Sequence, residues 1–131
     1  MPIEPYKSGE QGSVSFFVRP GGRCPSKDFL EKTCETAFQK KFDQQFGAFI
    51  RIGAPYHNYE RFKPLTGDGK PMWEFKEHDH RLYCRRMVCE TRADLVLLSG
   101  WIKDKTRGRE EKNEIGKAKT LLTELESGTK P

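Results

Sequence analysis

Three apolar runs follow one another with little chain between them. Met72 to Lys76 reads MWEFK, His80 to Val88 reads HRLYCRRMV, and Leu95 to Trp101 reads LVLLSGW. Each is rich in aromatic or branched residues, the composition of a strand. Glu77, His78 and Asp79 join the first pair, and a turn at Thr91 to Ala93 precedes the third run. Parallel neighbours need a crossover of a dozen or more residues, so these strands are expected to pair antiparallel, as a meander. LVLLSGW has the unbroken apolar character of a strand buried on both faces.

The flanking segments supply the helices and the remaining strands. Ser13 to Arg19, SVSFFVR, reads as a strand that Pro20, Gly21 and Gly22 end. Ser26 is then placed to cap a helix, with Asp28 in the first turn where the dipole favours a negative charge. Phe29, Leu30, Thr33, Cys34, Ala37, Phe38, Phe42, Gln45 and Phe46 fall on one face at helical spacing. The expectation is one helix from Ser26 to Phe46, its four phenylalanines packed in the core. Gly47 to Glu60 leaves a short helix and an extended connection both open. Arg61 to Leu65 reads as a strand, and Thr66 to Gly69 as a turn. Lys103 to Arg109 reads as a basic loop. Glu110 and Glu111 then open a final helix with Ile115, Ala118, Leu122 and Leu125 on its apolar face.

Strand, helix, several antiparallel strands and helix make an α+β domain, one sheet face helix-covered and the other exposed. No repeat or linker divides the chain, so one domain over residues 13–131 is expected. Residues 1–12 are expected to form a flexible polar tail, since they carry neither the apolar nor the basic region of a secretory signal. No run is long and apolar enough to span a bilayer, so no membrane is expected. A reducing cytoplasm is the expected compartment, with Cys24, Cys34, Cys84 and Cys89 as thiols. A zinc site can be drawn from Cys84, Cys89, His78 and His80, but its spacing matches no common template. Neither metal nor cofactor is expected.

The formal net charge is +5 at pH 7, which favours acidic partners. The charge is not spread evenly. Alternation along HRLYCRRMV puts Arg81, Tyr83 and Arg85 on one face and Leu82, Cys84, Arg86 and Val88 on the other. The first set suits phosphates and bases: guanidinium forks grip phosphate, and a ring stacks on a base. Tyr83 and Trp101 are the rings for that role, and Trp101 also suits the core. Lys76 ends the preceding strand, Lys103, Lys105, Arg107 and Arg109 follow the last one, and His78 and His80 flank the hairpin. A plain charged surface paired to Glu74, Glu77 and Glu110 is the competing reading. Cleaving RNA without a metal needs a base for the 2′-hydroxyl, cations for the phosphorane and an acid for the leaving oxygen. His78, His80 or a lysine crowded by other cations meets the need for acid and base. No phosphate-cradling loop with its lysine is present.

Two stretches, RFKPLTGDGKPMWEFKEHDHRLYCRR and LVLLSGWIKDKTRGREEKNEIGKAKTLL, resemble the RelE/ParE toxin superfamily, in particular its HigB-like and phage-derived members. The likeness runs from Arg61 to Leu122. It rests on PL and G ahead of WE, on the HRLYC strand, and on an apolar strand running into WIKDKT. The resemblance implies a RelE-like fold and the toxin of a type II toxin–antitoxin system. It further implies ribosome-dependent cleavage of messenger RNA without a metal, and a helix-turn-helix antitoxin as partner. Arg81 matches the family's phosphate-binding arginine, Lys76 the basic residue closing the WE strand, and Lys103 and Lys105 the basic residues after the last strand. Met72 and Glu74 stand where RelE carries lysines, and LESGTKP holds no Tyr or His of the kind several members place there. Those departures keep three alternatives open: a gyrase-inhibiting ParE-like relative, an inactive antitoxin-bound member, and a plain RNA-binding domain.

Overall fold

The computed structural model describes residues 2–58, 60–65, 72–103 and 108–128, without the side chains of residues 108 and 109. Six strands and three α-helices follow one another: β1 (Ile3–Gly9), β2 (Gly12–Phe17), α1 (Pro25–Asp28), a π-helical turn (Phe29–Thr33), α2 (Thr36–Ile52), β3 (Phe62–Pro64), β4 (Met72–Glu77), β5 (His80–Cys89), β6 (Arg92–Ile102) and α3 (Gly108–Gly128). The strands form one sheet in the order β1-β2-β6-β5-β4-β3. The domain is α+β, as the pattern of apolar runs requires.

The meander from β3 to β6 is antiparallel, as its short connections dictate. The β4–β5 connection turns at His78 and Asp79, with His78 in the left-handed region at φ 55°. The β5–β6 register slips between Tyr83 and Cys84, which pair with Ser99 and Leu97 and leave Leu98 as the extra residue. That bulge turns Leu98 towards one face while Leu97 stays on the other.

Four expectations need correction. Residues 3–9 are not a flexible tail: they form β1, which pairs with β2 and packs Tyr6 against the core. β2 joins β6 in parallel, because the chain between them is long enough to cross over through α1 and α2. The long helix is broken at Cys34, whose ψ of 132° is extended, and then continues beyond Phe46 to Ile52. Gly53 ends it at φ 78°, and a Cβ there would lie 2.4 Å from the Thr91 carbonyl oxygen, so only glycine fits this stop. Finally, the second sheet face is not left bare.

Two cores result. On one face, Phe42, Phe46 and Phe49 of α2 and Phe29 of the π turn pack on Val14, Phe16, Phe75, Leu82, Cys84, Leu95 and Leu97. On the other, Ala118, Leu121, Leu122 and Leu125 of α3 pack on Phe17, Met72, Tyr83, Leu98 and Trp101. Helix α3 lies over β6 and β5. Burying a large apolar side chain contributes about 1.5–3 kcal/mol, so the second core is a substantial part of the fold rather than an accessory.

Candidate functional site

Alternation sorts the charged residues of the meander between these two faces. Phe62, Phe75, Leu82 and Cys84 point to the α2 core, whereas Met72 and Tyr83 point to the α3 core. Their neighbours must face the opposite way. Lys63, Glu74, Lys76, Arg81 and Arg85 therefore share the α3 side of the sheet. The register sets them in rows: Lys63 opposite Glu74, Glu74 opposite Tyr83, Lys76 opposite Arg81, and Met72 opposite Arg85.

Arg81 is the centre of this group. It is 8% exposed, and its Nε lies 3.6 Å from the Glu74 carboxylate. Its Nη1 donates to the carbonyls of His78 at 2.6 Å and His80 at 3.1 Å, which locks the guanidinium to the hairpin turn. Burial raises the Glu74 carboxyl above its ordinary value, and the cations of Arg81 and Lys76 pull part of the way back. Burial lowers the Lys76 ammonium, and the positive charges of Arg81 and Lys63 lower it further. A larger share of Lys76 is thus the neutral amine that can accept a proton. The Arg85 Nε is buried with no partner among the described residues.

Lys103 joins the same neighbourhood from the end of β6. Its backbone N–H donates to the Asp79 carbonyl at 2.7 Å, and its ammonium pairs with Glu111 of α3 at 3.0 Å. The Glu111 charge is felt at both Glu74 and Tyr83. Lys76, Arg81, Arg85 and Lys103 therefore stand on one face, with Arg81 and Lys103 tied to the internal carboxylates of Glu74 and Glu111.

The histidines are not there. His80 is 2% exposed on the α2 side, its ring stacked on Phe38 at 4.4 Å and near Phe29 at 6.1 Å. Its Nδ1 lies 2.8 Å from Asp79 Oδ1, and its Nε2 is buried without a partner among the described residues. His78 stacks on the same Phe38 ring at 6.1 Å. The sheet separates the His80 ring from the Lys76–Arg81 face, and the His78 ring, in the turn beyond the strand ends, is turned to Phe38 of α2. Strand parity already contains the reason: residues 80 and 81 are adjacent in β5 and must point to opposite faces.

Tyr83 does not offer its ring either. It is fully buried beneath α3, and its hydroxyl accepts a hydrogen bond from Trp101 Nε1 at 2.9 Å. Burial pushes its phenol well above the ordinary tyrosine range. Both rings belong to the α3 core. Lys105 and Arg107 lie outside the described residues, as does the Arg109 side chain, although its backbone belongs to α3. The zinc set cannot converge, because His80 and Cys89 stand at opposite ends of β5 while Cys84 points into the α2 core.

Two residues of the site escape a reading by segments. Lys63 becomes visible only once β3 is placed beside β4, and Glu74 becomes a buried acid beside Arg81 only once β4 and β5 are in register. Among the described residues, no helix is long and apolar enough to cross a membrane.

No protein-family model matches the sequence, and no curated protein matches it. Among solved structures, the chain is similar to a YoeB/ParE toxin from Agrobacterium tumefaciens, at 18% identity over 60% of this chain and 91% of that one, with a TM-score of 0.46. The chain's own side chains place a cluster of cations, with one lysine shifted towards its neutral form, on a single sheet face.

Proposed function

We propose that this protein is the toxin of a toxin–antitoxin pair and cleaves messenger RNA on the ribosome without a metal. The observation that carries the reading is the direct pairing of Lys76 with Arg81 across β4 and β5, on the face where Lys63, Arg85 and Lys103 also stand. The sequence resemblance to the RelE/ParE superfamily falls on the same strands.

The chemistry follows from the groups present. Lys76 accepts the proton of the RNA 2′-hydroxyl as its oxygen attacks the adjacent phosphorus. The bond from phosphorus to the 5′-oxygen then breaks, that oxygen taking a proton from solvent water, which leaves a 2′,3′-cyclic phosphate and a 5′-hydroxyl. Arg81 and Lys103 stabilise the charge that builds on the phosphorane oxygens. Each must first exchange its carboxylate, Glu74 or Glu111, for the phosphate, and ribosome-bound RNA supplies that competition. Arg85 extends the cationic face for the RNA backbone, and Lys105, Arg107 and Arg109, basic residues of the sequence after β6, are proposed to bind RNA as well. The histidines have no part in this scheme. The cytoplasm is the matching compartment, and a helix-turn-helix antitoxin with an acidic segment would neutralise the face.

Purified protein added to ribosomes translating a defined message should yield cleavage products ending in cyclic phosphate, and Lys76→Met should abolish them. Intact message under those conditions would refute the enzymatic reading. The second reading is a non-catalytic binding protein of the same fold, such as a gyrase inhibitor. The internal pairing of Arg81 and Lys103 favours it, and inhibition of gyrase supercoiling without RNA cleavage would establish it.

A further inference from the structure

Arg19, Pro25, Ser99, Gly100, Lys117 and Leu121 line a pocket of about 290 Å³ where the end of β6 meets α3 and the start of α1. That volume lies at the lower end of the range for small-molecule sites, roughly 300–1,000 Å³. Glu114 and Thr120 of α3 complete the wall, and no residue of the Lys76–Arg81 cluster takes part. Most polar groups of the wall are already engaged. Lys117 pairs with Glu114 at 3.3 Å. The Thr120 hydroxyl donates to the Gly116 carbonyl of its own helix at 3.1 Å. Arg19 donates from Nε and Nη2 to the two carboxylate oxygens of Glu124, at 3.0 and 2.8 Å. Ser99 differs. It stands opposite Tyr83, so its side chain faces α3, and it is 8% exposed. Its Oγ is buried with no partner among the described residues. A buried hydroxyl without a partner carries a desolvation cost that alanine would avoid.

These groups set the chemistry of an occupant. The charges of the wall are balanced in pairs, so the pocket selects neither an anion nor a cation. Pro25, Gly100 and Leu121 offer apolar contact. The two parallel bonds to Glu124 use one edge of the Arg19 guanidinium and leave its flat faces, on which an aromatic ring stacks. The Ser99 hydroxyl can donate or accept one hydrogen bond. We propose that this pocket binds a small neutral aromatic ring carrying one hydroxyl, a phenol, with its ring against Arg19 and Pro25 and its hydroxyl bonded to Ser99 Oγ. The site is separate from the face proposed to cut RNA, and the two readings stand or fall apart.

The test is amide NMR on the intact protein titrated with p-cresol and with toluene, which lacks just the hydroxyl. Saturable shifts at Ser99, Gly100 and Leu121 are expected from p-cresol, with toluene binding about tenfold more weakly, the scale of one hydrogen bond. Ser99→Ala should bring p-cresol down to the toluene level and leave toluene unchanged. Arg19→Met should weaken both compounds alike, because it removes the stacking face. Ser99→Ala should also fold with unchanged or higher stability in the absence of ligand, since no partner is left behind. Absence of saturable shifts at these residues, or a p-cresol preference that survives Ser99→Ala, would overturn the proposal. A ligand-free Ser99→Ala protein less stable than wild type would overturn it too, because the hydroxyl would then already have a partner. Neither result bears on RNA cleavage, whose residues the pocket does not share.

Discussion

Replacing Arg81 is the obvious way to disable the site, and the structure says that it will also cost stability. Arg81 and Glu74 are both nearly buried, at 8% and 7% exposure, and lie 3.6 Å apart. Removing one partner of a buried ion pair costs about 3–5 kcal/mol, because the remaining charge is left desolvated and alone. Two charge-assisted bonds to the His78 and His80 carbonyls are lost as well. The pair is not at ideal contact distance, so about 3 kcal/mol is expected for Arg81→Gln at pH 7. A domain of this size has about 5–15 kcal/mol in hand, so the variant folds, but with little margin. Glu74→Gln should stay within about 1 kcal/mol of wild type, since it also removes the burden of a buried carboxylate. The double variant should recover about 1–2 kcal/mol relative to Arg81→Gln alone, the coupling expected of groups in contact.

The pH dependence has a definite sign. Burial raises the folded-state pKa of Glu74 above its ordinary 4.5, and loss of Arg81 raises it further. A group with a raised folded pKa takes up its proton more readily when folded, so stability falls as pH rises through that range. The deficit of Arg81→Gln should therefore shrink as pH drops from neutral through the raised Glu74 pKa towards 4.5. Urea denaturation followed by circular dichroism between pH 7 and pH 4.5 measures all four proteins. Equal stability of Arg81→Gln with and without Glu74→Gln, or a deficit that does not depend on pH, would refute the buried-pair account.

Lys76→Met should lower cleavage by about 10²–10⁴-fold, the usual loss of a general base. It should leave the fold as stable or slightly more so at neutral pH, because a lowered lysine pKa marks a charge the folded state disfavours; lost stability with retained cleavage would contradict both points. His78→Ala should leave ribosome-dependent cleavage within about threefold of wild type, since its ring lies on the α2 side, and a collapse of activity in a folded variant would return the histidine to the site. Gly100→Ala should destabilise the domain by about 1–3 kcal/mol in thermal or chemical melts, because a Cβ there would fall 2.4 Å from the Phe29 ring. Trp101→Phe should cost about 1 kcal/mol for the lost bond to Tyr83 and leave RNA affinity unchanged, as expected of a core residue.

What the chain states about itself is local. The β4–β5–β6 meander was legible because turn chemistry and alternation are written within a few residues of each other. The phenylalanine face of α2 and the apolar stripe of α3 were legible for the same reason, as helical spacing is a property of one segment. Alternation also held the answer for His80, whose adjacency to Arg81 excludes a shared face. Other features belong to pairs of distant segments. Residues 3–9 look like a polar tail until β2 offers them a partner, and β2 itself finds β6 in parallel across the crossover. Tyr83 reads as an exposed ring, and Trp101 as either a stacking or a core ring, until α3 covers both. Lys63 joins the cationic face only opposite Glu74, through a register between strands that no single stretch encodes. A sequence carries the propensity of each element and the parity of each side chain. Which element covers which face depends on the free energy of burying apolar surface over the whole domain, and that is settled only when the chain is folded.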